Sequence, residues 1–100
     1  KGFSILQQNF RTPFGEVDII ALKKDVLAFV EVKLRKNNYF NLSEVITPSK
    51  QKKIIRTAKS FIAHKKLSNV VYRFDVALIT HDDKSSITYI ENAFTDIANE

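Results

Sequence analysis

The 100-residue chain contains no cysteine, methionine or tryptophan, and only two glycines and two prolines. Without cysteine there is no disulfide framework and no thiolate metal site. No apolar run approaches the ~20 residues of a membrane-spanning helix, and the N-terminus lacks a signal-peptide pattern. These absences predict a soluble, cytoplasmic protein. A further absence is local: residues 45–74 hold no Asp or Glu, yet they hold eight of the sixteen Lys and Arg residues. The net charge is +5 and the pI near 9.6. A positive field concentrated on one segment favours an anionic partner, and nucleic acid is the expected one.

What is present fits one domain spanning residues 1–100. Hydrophobic residues make up 44% of the chain, well above the level of a disordered sequence. A domain of this size buries about two-thirds of the surface its unfolded chain exposes. Its stability is therefore modest, and a homodimer would be a natural supplement. There is no internal repeat, low-complexity segment or interdomain linker.

Residues 3–10 (FSILQQNF) read as a strand, with Phe3 and Ile5 on one face. Thr12-Pro13-Phe14-Gly15 has turn chemistry, because proline fixes φ and glycine permits a tight bend. Residues 16–22 and 26–34 are rich in β-branched and aliphatic side chains and read as a hairpin around Lys23-Lys24-Asp25. A polar loop follows at 36–41. Thr47-Pro48 announces a helix, with threonine as N-cap and proline at the first helical position. Ile54, Ile55, Ala58, Phe61 and Ile62 recur at helical spacing as one apolar face, with Lys52, Lys53, Arg56, Lys59 and Lys66 opposite. Residues 70–80 (VVYRFDVALIT) form a nearly continuous apolar run, which predicts an interior strand. A turn at 81–85 leads to a last strand over 86–92. The order β-β-β-α-β-β describes an α/β domain with a mixed central sheet and a flanking helix.

The hairpin raises a chemical question. GEVDII at 15–20 and FVEVKLR at 29–35 place Glu16, Asp18, Glu31 and Lys33 within strands the core needs. Side chains alternate across a strand, so Glu16 and Asp18 share a face, as do Glu31 and Lys33. A two-residue turn at Lys24-Asp25 would set Asp18 opposite Glu31 and Glu16 opposite Lys33. Facing carboxylates are destabilising unless something neutralises them. A divalent cation together with Lys33 would do so. Hard oxygen ligands such as Asp18 and Glu31 suit Mg²⁺ or Mn²⁺. Such an ion polarises a phosphate and acidifies the attacking water, and Lys33 would stabilise charge developing in the transition state. Phosphodiester hydrolysis is the chemistry this pattern predicts. The bland alternative is a Glu16–Lys33 edge ion pair, with Asp18 and Glu31 facing solvent.

Asp18 followed by Glu31-Val32-Lys33 resembles the D…ExK signature of the PD-(D/E)XK nuclease superfamily. The ordered run GEVDIIA, FVEVKLR, ITPSKQKKI, RFDVALI and ENAF is more specific. It resembles the YraN-like bacterial family, related to Holliday-junction resolvases, over essentially the whole chain. The resemblance implies a restriction-endonuclease-like fold and a Mg²⁺- or Mn²⁺-dependent endonuclease acting on DNA, with branched or junction DNA among the candidate substrates. It makes Asp18 and Glu31 the metal-binding acids, Lys33 the catalytic lysine and Glu16 a further candidate acid. Lys50 matches a basic position at the start of the helix, suited to phosphate contact. Members usually open with a helix that can carry another glutamate, so an N-terminal helix is expected to be missing from this sequence. Relatives also often show a second glycine where this chain has Pro13-Phe14-Gly15.

The helical stripe of Lys50, Lys52, Lys53, Arg56 and Lys59 is either a solvated face or a DNA-backbone contact. The alternative to an enzyme is a nucleic-acid-binding module that keeps the fold with little or no catalysis. Asp75, inside an apolar strand, is expected to pair with Arg73 or a lysine. Glu44 reads as a surface residue, the alternative being an extra metal ligand, and His64 and His81 read as solvent-facing. Tyr39 and Phe40 would either stack on bases or cover the core.

Overall fold

A computed structural model describes residues 2–35, 46–80 and 86–95. The described residues form five strands and one helix, in the order β1 (Ser4–Thr12), β2 (Gly15–Lys23), β3 (Val26–Arg35), α1 (Pro48–His64), β4 (Val71–Thr80) and β5 (Ser86–Phe94). This is the α/β arrangement the sequence predicts. The strands lie in the sheet in chain order, β1 to β5. All neighbours are antiparallel except β3 and β4, which run parallel. A parallel pair needs a crossover, and α1 lies in the segment that supplies it. The predicted interior strand is β4, flanked by β3 and β5. The expected loop at 36–41, the turn at 81–85, and Tyr39, Phe40, Glu44 and His81 lie outside the described residues.

Local chemistry explains the boundaries. Pro13 and Phe14 alone form the β1–β2 turn, since Thr12 pairs with Gly15. The Thr12 hydroxyl accepts a bond from the Phe14 N–H at 3.1 Å, which steadies the turn. Between β2 and β3 the turn is Lys24-Asp25, closed by the Lys23–Val26 pair. Lys24 takes a positive φ of 55°, as tight hairpins require. At the helix N-terminus Thr47 is extended, and its hydroxyl accepts the Lys50 N–H at 3.3 Å. The helix ends at His64, so Lys66, expected on its basic face, lies beyond it with a positive φ of 55°.

The core lies between α1 and one face of the sheet. Phe61 is the hub, 1% exposed, meeting Phe10 and Phe29 edge-on at 5.2 and 6.1 Å between ring centroids. Phe29 stacks on Phe74, and Phe74 on Phe94. That last contact explains why β5 runs two residues beyond the expected 86–92. The pairing of β4 with β5 shifts between Phe74 and Val76, then resumes so that Phe94 returns opposite Phe74. Val17, Ile20, Leu27, Ile46, Ile54, Ile55, Ala58 and Val76 complete the buried cluster.

Candidate functional site

The charged residues of the hairpin stand where the sheet loses its regular pairing. The β2–β3 ladder runs from Lys23–Val26 to Ile19–Val30, the register a two-residue turn demands. Continued by one step it would set Asp18 opposite Glu31. The recorded pairs stop just before that step. The Asp18 carboxylate instead turns toward β3, where its Oδ2 accepts the Val32 N–H at 2.8 Å. A side-chain oxygen thus takes a bond that a strand carbonyl would take in an unbroken ladder.

Uniform alternation along β2 also ends here. Gly15 lies under α1, close to the Lys53 and Thr57 side chains, and Val17 belongs to the buried cluster. Ile20 is buried in the same cluster and pairs with Phe29, which touches Phe61. Residues 17 and 20 cannot share a face of a regularly alternating strand. The face therefore changes at Asp18 and Ile19. Opposite, β1 skips the Asn9–Asp18 pairing, and Asn9 has a φ of 55°. Glu16 falls between two residues that face α1, so it turns away to the other side of the sheet. There it pairs with its cross-strand neighbour Arg11, Nε to Oε2 at 3.4 Å. Alternation alone would have put Glu16 with Asp18 and opposite Lys33. The irregularity separates them.

Asp18, Glu31 and Lys33 are brought together. Glu31 and Lys33 follow Phe29 on the α1 side of β3, and Lys33 Nζ lies 3.2 Å from Glu31 Oε2. Their side chains are only 25% and 16% exposed, for Lys33 and Glu31 respectively, so the ion pair is partly shielded from water. Burial, then the negative charge of Asp18, push the Glu31 carboxyl above its usual range, and Lys33 partly offsets this. Glu31 thus feels the negative charge of Asp18, and added positive charge at this place relieves it. Two carboxylates fall within what Mg²⁺ or Mn²⁺ uses, because these ions keep several waters. Among the described residues no group of three or more Asp, Glu, His or Cys stands together.

The helix brings its basic face to the same end of the sheet. Lys53 and Thr57 pack over Gly15, and the Thr57 hydroxyl lies 3.5 Å from that of Thr12. Lys50, Lys52, Lys53 and Arg56 are exposed, and Lys59 is half-buried. The Arg56 guanidinium lies 5.2 Å from the ring centroid of Phe14, at the tip of the β1–β2 turn. That pairing has no signal in the sequence, since it joins residues 42 positions apart.

On the other side of β4, Asp75 is 1% exposed and fully bonded. Arg73 reaches both of its oxygens, with Nε 2.9 Å from Oδ1 and Nη2 2.9 Å from Oδ2. The Tyr89 hydroxyl donates to Oδ2 and the Asn92 N–H to Oδ1. Asn92 has a positive φ and sits where the β4–β5 register shifts. Arg73 was legible as a partner from its spacing. Tyr89 and Asn92 were not, because the register of β5 fixes them. His64 is exposed, as expected.

The chain's resemblance to other proteins extends along most of its length. A UPF0102 protein of Alkaliphilus metalliredigens is 42% identical over 95 residues, covering 94% of this chain and 83% of the relative. One of Clostridium perfringens is 45% identical over 98 residues, covering 94% and 80%. One of Clostridium acetobutylicum is 47% identical over 97 residues, covering 93% and 80%. The model of the uncharacterised protein family UPF0102 matches residues 1–79, a span that includes Asp18, Glu31, Lys33 and all of α1. The chain therefore belongs to the UPF0102 family, the YraN-like family its motifs resemble.

Proposed function

We infer that this protein is a metal-dependent nuclease that hydrolyses DNA phosphodiester bonds. The observation carrying this reading is the group of Asp18, Glu31 and Lys33 at the seam where β2 and β3 part. Burial and the charge of Asp18 hold the Glu31 carboxyl above its usual range, with an ammonium 3.2 Å from it. Asp18 and Glu31 would hold a Mg²⁺ or Mn²⁺ ion. When bound, it supplies Lewis acidity toward the phosphate and makes water a better nucleophile. The rest falls to the chain. The Val32 N–H fixes one Asp18 oxygen and so aims the carboxylate. The Lys33 ammonium is free to turn from Glu31 toward phosphate oxygens that gain charge in the transition state. The exposed Lys50, Lys52, Lys53 and Arg56 supply the sequence-independent attraction to the DNA backbone, as would Lys59. The D…ExK resemblance supports the same assignment, with branched or junction DNA among the substrates. Glu16, bound to Arg11, is not needed in it.

The test uses full-length protein. Mn²⁺ should titrate into the wild type and not into Glu31→Ala. With metal present, cleavage should be seen on at least one of linear, flapped and four-way DNA. Lys33→Ala should bind DNA nearly as well as the wild type, while turnover falls by roughly 10²–10³-fold, the usual loss of one transition-state stabiliser. DNA binding without cleavage under any divalent metal would make the protein a binding module. Equal cleavage by Lys33→Ala would remove the lysine from the mechanism.

A further inference from the structure

Phe14 stands out among the exposed apolar side chains. It sits at the tip of a two-residue turn, is 47% exposed, and carries the Arg56 guanidinium over its ring at 5.2 Å. A turn residue contributing only to the core would be buried, and Phe14 is absent from the buried cluster. Arg56 restricts the ring through a cation–π contact and keeps a positive charge beside it. Lys53 packs on the neighbouring Gly15, which adds a second cationic side chain at this corner. Four residues of extended strand, about 13 Å, separate Phe14 from Asp18. The turn lies on the helix side of the sheet, as do Glu31 and Lys33.

A fixed, half-exposed aromatic ring bordered by cations is the combination that holds unpaired bases. The ring stacks on a base, and the cations take the flanking phosphates. A base inside a duplex offers no free face. We propose that Phe14, clamped by Arg56, is a base-stacking platform that makes unpaired DNA next to the reacting phosphate the preferred substrate of this site. As a substrate assignment this rests on the nuclease reading, whereas the stacking itself can be measured without cleavage.

These 100 residues contain three tyrosines and no tryptophan, so Phe14→Trp places an indole, excitable apart from the tyrosines, at the position in question. The full-length variant is titrated, in chelator, with three probes: a single-stranded oligonucleotide, the corresponding duplex, and an abasic strand of equal length and charge. Quenching by the single strand, little by the duplex and none by the abasic strand is the expected result. Phe14→Ala should weaken single-strand binding about 5- to 150-fold, the range for one base–aromatic stack. Phe14→Leu, which keeps an apolar side chain over the turn, should weaken it similarly. Equal response to abasic and base-bearing strands would overturn the platform, leaving charge as the only contact. So would unchanged affinity in Phe14→Ala. If metal-dependent cleavage persists in either case, only the platform is lost. If wild-type protein neither cleaves nor binds DNA, the nuclease reading falls with it.

Discussion

At the scale of single residues, the Glu31 carboxyl has the clearest thermodynamic consequence. Burial and Asp18 raise its pKa in the folded chain above the ordinary 4.5. The folded state therefore holds that proton more tightly than the unfolded state does. Stability from this group is greatest with the proton on, falls as pH climbs through the window above 4.5, and reaches its full penalty above the folded pKa. Without metal, Glu31→Gln should thus melt higher than the wild type at neutral pH. The difference should vanish below about pH 4, where both chains carry an uncharged group. Calorimetry in chelator across pH measures it. A lower melting temperature for Glu31→Gln at neutral pH would mean that Lys33 outweighs burial and Asp18. The same competition explains why residue chemistry was readable here. Two acids and a lysine in apolar strands ask for a reason from sequence alone, whereas the fate of Glu16 turned on a change of face at Asp18. That change is seen only in the structure, where Asn9 opposite takes a left-handed φ of 55°.

At the scale of elements, α1 is built against its own dipole. Its first turn contains no acidic residue, and Lys50, Lys52 and Lys53 crowd the end that carries partial positive charge. Thr47 caps the helix, and a glutamate three residues on would complete a capping box. The chain has Lys50 there instead. Lys50→Glu should therefore stabilise the helix by about 0.3–1 kcal/mol while weakening DNA binding. Melting temperature and affinity should move in opposite senses. If both fall, Lys50 serves the fold and not a polyanion. Salt dependence gives an independent check: Lys52→Ala should reduce the log–log slope of binding by about 1 if Lys52 meets a phosphate. The helix itself was fully legible, because Thr-Pro, a 3.6-residue apolar period and a basic end are local signals. The limits of β1 and β5 were less so. Each extends past its expected end through pairing partners that no local pattern names, Gly15 and Glu16 for β1 and Phe74 for β5.

At the scale of the whole molecule, the described residues place one helix on one face of a five-stranded sheet, which concentrates stability in few contacts. Phe61 touches both Phe10 and Phe29. Phe61→Ala should cost about 3–5 kcal/mol, a large share of the 5–15 kcal/mol that holds an ordinary domain together. Urea titration followed by circular dichroism measures it, and a loss below 1 kcal/mol would mean that the core collapses around the cavity. Among the described residues no helix is long and apolar enough to cross a membrane. The mixed character of the sheet followed from the order of elements, since a helix between two strands can join a parallel pair, whereas the strand order was read only from the structure. The Asp75 network did not follow. It depends on where β5 slips, a property of the assembled sheet.

The bond from Val32 to Asp18 has a practical consequence for anyone probing the site. Its amide proton is tied to the carboxylate assigned to the metal, and the amide belongs to a residue with no assigned part in the chemistry. In a heteronuclear correlation spectrum, that one resonance should respond to Mg²⁺ before any substrate is added. Its solvent-exchange rate should report how firmly the seam between β2 and β3 is closed. Asp18→Ala would sever the bond and loosen the seam as well as removing the carboxylate. Asp18→Asn, whose amide oxygen can still accept the Val32 N–H, is the cleaner test of the proposed metal site.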